Sequence, residues 1–113
     1  MTPVDLVALG AELLAHAASA PSGRDTRVLH AAPDRSLTQV VLALSAGREL
    51  AEHENPGEAT VQVLSGGVTL STGLQEWTLG VGELLAIPQQ RHALRASMDS
   101  VVLLTMAKAL DAT

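Results

Sequence analysis

Two residues of this chain, His53 and Asn55, carry donor atoms at a spacing that suggests chemistry, and His92 offers a further imidazole. Residues two apart on a strand project to one face, so His53 and Asn55 can enter the same cavity just before the turn-forming Pro56-Gly57. Imidazole suits Fe, Ni, Zn, Cu and Mn to differing degrees, whereas an asparagine offers only a neutral amide oxygen. One reading makes the three residues a ligand pocket, bonded to each other, to water or to a small-molecule ligand. A second makes His53 and His92 ligands of a weakly bound divalent metal. A third leaves them at the surface with no role.

Other polar residues carry less. Glu54 and Glu58 flank the pair and can reach a metal only if the 55–57 turn is rearranged. His30 on an early strand and His16 on a helix read as structural and exposed respectively. Arg91 and Arg95 beside His92 either meet an anionic ligand at the mouth of a barrel or form a solvated edge. Trp77, the single aromatic residue, plugs one end of the barrel or sits at an interface. No phosphate-cradling loop and no nucleophile–base constellation is visible.

The elements that must position these residues are mostly strands. Gly47 and Gly66 bracket two β-like runs, Arg48–His53 and Ala59–Leu64. Upstream, the pattern predicts strands at Thr26–His30 and Ser36–Ser45. Downstream it predicts them at Val68–Ser71, Gln75–Leu79, Glu83–Ile87, His92–Ala96 and Ser100–Ala107. Short strands punctuated by Gly and Pro indicate an all-β sandwich or barrel. Thr2–Ser19 reads as a helix with Thr2 as cap, Pro3 in the first turn and Asp5 as a capping-box acid. Leu6, Leu9, Leu13 and Ala17 form its apolar stripe, widened by Leu14. Residues 1–23 are thus an N-terminal helix and hinge, and residues 24–108 a β-barrel domain.

The Gly47–Gly66 stretch resembles the first motif of the cupin superfamily, in which a glycine is followed by His-x-His, a glutamate and a closing glycine. Gly47, His53 and Gly66 match at the right distances. Asn55 stands where the second histidine belongs and Ala59 where the glutamate belongs, with Glu58 one position off. A one-residue offset turns a strand side chain to the opposite face. Gly82, Pro88 and His92 echo the second motif, with Gln90 in place of its glycine and His92 one residue early. The resemblance spans Leu37 to Ala107 and is to small, single-domain RmlC-like cupins. It implies a cupin-type jelly-roll β-barrel (a double-stranded β-helix) whose matching histidines lie on neighbouring strands around a divalent metal. Two of the four ligand positions survive here, so the expected cofactor is none or a weakly bound divalent metal. The function implied is small-molecule binding with a degenerate or weak metal site. The alternative is a metal-dependent enzyme of dioxygenase or isomerase type that uses His53 and His92.

Composition narrows the partners. With 113 residues the chain is one domain, 47% hydrophobic, with a net charge of −5 and neither Phe nor Tyr. That argues against nucleic-acid binding, which relies on basic patches and often on stacking. No cysteine is present, so neither disulfides nor thiolate chemistry enters. No apolar run is long enough for a membrane span, and no basic leader opens the sequence. The expectation is a soluble cytoplasmic protein. Finally, Ser36–Ser45 has apolar residues of both parities, which a lone barrel leaves under-covered unless the helix shields one set. A homodimer through an outer sheet face is the expectation.

Overall fold

The computed structural model describes residues 2–53 and 57–108. Helix α1 (Leu6–Ser19) begins later than the sequence pattern predicts. Asp5, not Thr2, is the cap: its Oδ1 accepts from the amides of Val7 and Ala8, each at 3.1 Å. A carboxylate that satisfies two of the orphan amides and complements the positive end of the helix dipole outcompetes a hydroxyl three residues upstream. The chain then turns at Gly23, whose φ of 67° lies in the region glycine alone enters easily.

Among the described residues nine strands follow: β1 (Arg24–His30), β2 (Leu37–Leu44), β3 (Glu49–His53), β4 (Ala59–Ser65), β5 (Gly67–Ser71), β6 (Glu76–Gly80), β7 (Leu84–Ala86), β8 (His92–Ala96) and β9 (Ser100–Ala107). They form a five-stranded sheet, β1-β2-β9-β4-β7, and a four-stranded sheet, β3-β8-β5-β6, with antiparallel pairing throughout. The fold is an all-β jelly roll with one N-terminal helix. Sequence neighbours β3 and β4 lie in different sheets, so the chain crosses from one sheet to the other between them. Gly66 joins β4 to β5 with φ 80°. A Cβ there would collide with Asp99 O and Ser100 Oγ, so the close approach and the positive φ both require glycine.

Two apolar layers result. Between the sheets, Leu42, Leu44, Val61, Val63, Val68, Leu70, Leu94 and Val102 are buried together. On the outside of the larger sheet, Leu9, Leu13 and Ala17 of α1 pack on Val41, Ala43 and Val101. Over Val41–Leu44 both parities of β2 are therefore covered within one chain, one by the opposite sheet and the other by the helix, whereas Leu37 at the start of the strand is 44% exposed. The helix supplies the cover that the outward-facing Val41 and Ala43 need. Trp77 is half-buried against the layer between the sheets. No helix among the described residues is long and apolar enough to cross a membrane.

Candidate functional site

His92 opens β8, and the register of β8 against β3 is what brings His53 to it. Leu50 pairs with Leu94 and His53 with His92, with a register shift between. Three residues of β3 thus span two of β8, which is the two-against-one count of a β-bulge. Without the extra residue His53 would sit out of phase with Leu50. With it, His53 takes the register position directly across from His92.

The His92 side chain is 2% exposed. Its Nδ1 lies 2.8 Å from the carbonyl oxygen of Gln90. A carbonyl can only accept, so Nδ1–H donates and, in the neutral ring, Nε2 carries the lone pair. The short Gln90–Arg91 link thus fixes both the orientation and the tautomer of the ring. Although His92 comes one residue early against the second motif, the structure places its ring inward, on the cavity wall.

Inward of His92 is a cavity of ≈ 40 Å³, shared with Leu50, Ala59, Leu70 and Ile87 on one part of its wall and Leu94, Leu104 and Met106 on the rest. His92 is the one ionisable group on this wall among the described residues. Ala59 is 7% exposed and lines the cavity, so the position that the resemblance assigns to a glutamate presents a methyl group. Glu58 is exposed and contributes instead to an outer groove with Thr60, Gln89 and Thr105. It is out of phase, as a strand neighbour must be. Asn55 and Glu54 lie outside the described residues.

The remaining candidates are elsewhere. His30 is exposed on β1, at the edge of the larger sheet, paired with Gln39. His16 is exposed on α1, with its Nδ1 3.2 Å from Asp25 Oδ2. Arg91 is exposed. Arg95 belongs to the outer face of the smaller sheet, where it lines a polar groove with Glu49, Thr69, Ser71 and Glu76. That groove is across the sheet from the His92 cavity, so Arg95 does not greet a ligand beside His92. Among the described residues, no group of three or more His, Asp or Glu is placed to hold a metal. No carboxylate among the described residues lines the cavity to offset a divalent charge.

Met106 is the residue the sequence reading passed over. It is the cross-strand partner of Ala59, and its side chain reaches the same cavity as His92. The signal was present in the parity of Ser100–Ala107, because Val102, Leu104 and Met106 share one face. A methionine on such a face reads as core filler.

No family profile and no curated protein matches the sequence. Solved structures do. An RmlC-like cupin from Desulfovibrio desulfuricans is 27% identical, over 74% of this chain and 81% of its own, with a TM-score of 0.66. A conserved protein of unknown function from Streptococcus pyogenes is 26% identical, over 80% of this chain and 78% of its own, with a TM-score of 0.71. A cupin superfamily protein from Desulfitobacterium hafniense shares the fold at 18% identity, over 76% of this chain and 78% of its own, with a TM-score of 0.70. Joined to the Gly47–Gly66 motif and the two facing antiparallel sheets, these likenesses give the chain a cupin-type jelly-roll fold and make it similar to small RmlC-like cupins.

Proposed function

We propose that this protein binds a small molecule at the end of the jelly roll where β3 meets β8, with His92 as the polar anchor, His53 and Asn55 completing the pocket, and the metal site degenerate or weak. The observation that carries this reading is a buried imidazole in an otherwise aliphatic cavity, facing an alanine where a carboxylate is expected. Burying a polar ring costs free energy unless its bonding is satisfied. The bond to Gln90 O holds the ring in one orientation on the cavity wall. The ≈ 40 Å³ interior is far below the roughly 300–1,000 Å³ of ordinary ligand pockets. The body of the ligand therefore stays outside, and only a compact polar group is inserted beside His92.

The ring resonances of His92, followed by NMR during titration with a panel of small carboxylates, alcohols and amides, test this. Binding that shifts those resonances and is lost in His92→Leu supports the pocket. Binding that leaves them unmoved places the ligand elsewhere.

The register pairing of His53 with His92 favours a second reading, a metal-dependent enzyme of dioxygenase or isomerase type. Metal analysis of protein purified without a His tag discriminates, because this reading requires near-stoichiometric divalent metal. A homodimer remains part of the proposal on different grounds: Val4, Val7 and Val28 are all more than half exposed. Light scattering near 11.7 kDa at tens of micromolar (roughly the range where modest interfaces persist) would remove it.

A further inference from the structure

We propose that the groove between α1 and β4 is a docking surface for a second copy of this chain, with the two α1 helices antiparallel and crossing near Ala11. The inference rests on the preceding reading that the protein is a homodimer. What it adds is the face, the residues that fill it and the direction of the contact.

The helix is too apolar for an element that faces water. Only Glu12, His16 and Ser19 of its 14 residues are polar. A surface helix buries one stripe and turns polar residues outward, whereas a helix that is apolar nearly all round is a buried one. Here Leu9, Leu13 and Ala17 pack on the larger sheet. Glu12 and His16 turn to the flank over β1, where they meet Arg27 and Asp25. The other flank carries Val7, Ala11, Leu14 and Ala18 at helical spacing, with no charge. Val7 is 85% exposed, and Val4 just ahead of the helix 52%.

The sheet is uncovered on that same side. Four strand spacings make it about 19 Å wide, and one helix covers about 10 Å of it. α1 lies chiefly over β1 and β2, and its uncharged flank reaches β4. Between them Leu6, Gly10, Leu14, Leu64 and Val101 line a groove of ≈ 280 Å³. Beyond it Leu84 on β7, in the same cross-strand row as Leu103 and Val41, is 62% exposed.

Three features assign the occupant. Val7 is a bulky knob on the rim of the groove, so knob and hole share one face, as an isologous two-fold contact requires. Val7 and Ala15 lie four residues either side of Ala11, and Val4 and Ala18 seven. An antiparallel pair with its two-fold axis at Ala11 therefore sets each valine against an alanine, whereas a parallel pair sets valine on valine. Finally, α1 has no Lys or Arg to hold it on an anionic membrane, and among the described residues no charged side chain lines the groove. A 14-residue helix is about 21 Å long, which places the contact at the small, reversible end of protein interfaces.

Sedimentation velocity of the untagged full chain, from about one to about a hundred micromolar, reads the association. The wild type should pass reversibly from 11.7 kDa to twice that mass. Val7→Lys places its charge at a position already 85% exposed in the monomer, so the fold is kept and association should weaken by about tenfold or more. Leu74→Lys, 94% exposed between β5 and β6, should change nothing. The chain has no cysteine, so single cysteines report direction. Ala11→Cys should be joined to its copy by a short bismaleimide. Val4→Cys should not, because the antiparallel pair holds its two copies roughly 20 Å apart. Undiminished association of Val7→Lys, or equal crosslinking at Val4→Cys, overturns this contact and leaves the homodimer standing. A wild type that stays at 11.7 kDa throughout removes the homodimer as well, while the NMR test of the His92 pocket is unaffected.

Discussion

The two apolar layers of this protein are built from the same residue types and differ in what they tolerate. The outer layer is aliphatic where Leu9, Leu13 and Ala17 meet Val41, Ala43 and Val101, and at its rim Leu6, Gly10, Leu14, Leu64 and Ser65 line a cavity of ≈ 280 Å³. Even its glycine is close-packed, since a Cβ on Gly10 would lie 3.2 Å from Val101 Cγ1. The inner layer is equally aliphatic through Leu42, Val61 and Val102, but toward β3 and β8 it gives way to a void walled by an imidazole and a thioether. A close-packed region contributes stability. A cavity beside a fixed imidazole forgoes dispersion contacts, and such exceptions mark sites. The comparison teaches that the helix is part of the scaffold, and that the proposed pocket lies at the His92 end, where a buried imidazole borders a void.

Substitutions in the two layers should separate these roles. The largest effect belongs to the outer layer: Leu9→Asp buries an unpaired carboxylate under the helix and should cost about 3 kcal/mol or more. Denaturant unfolding measures it, and unchanged stability would make α1 a loose appendage. Ser100 comes next. It is 1% exposed, its Oγ accepts from Gly67 N at 3.0 Å and it also lies within donor range of Gly67 O. Ser100→Ala strands the Gly67 amide and should cost roughly 1–3 kcal/mol. Asp5→Ala removes the cap at the exposed start of α1 and should cost roughly 0.5–2 kcal/mol, visible as a lowered helical signal before global unfolding. The smallest effect sharpens the contrast most. His92→Leu exchanges a buried polar ring for aliphatic volume beside an existing void, so its stability should be unchanged or higher by up to about 1 kcal/mol. A large destabilisation there would show that His92 is a structural keystone and that the two regions do not differ as described.

How much of this was legible in the sequence depends on the kind of signal. Strands His92–Ala96 and Ser100–Ala107 coincide with their predicted spans, and the others lie within two residues of theirs, because alternation and Gly/Pro punctuation act locally. The inward place of Ala59 followed from counting back from Gly66. The helix start did not follow, because Thr2-Pro3 and Asp5 are both plausible signals and only competition for the same amides decides between them. The β3 bulge was invisible, since parity counting assumes an unbroken ladder. Met106 was missed because its partnership with Ala59 joins residues far apart in the chain. The covering of both β2 faces by one chain is likewise tertiary.

We propose that the inner end of this jelly roll is a histidine pocket in which the residue types at positions 55 and 59 no longer complete a divalent-metal site. Calorimetric titration of untagged wild type and of the Asn55→His, Ala59→Glu double variant with Ni(II) tests it most directly. The variant restores a three-imidazole, one-carboxylate donor set of the kind first-row divalent metals prefer. The account predicts weak binding by the wild type and markedly tighter, one-to-one binding by the folded double variant. Tight one-to-one binding of Ni(II) by the wild type would contradict it and turn the reading toward a metal-dependent enzyme.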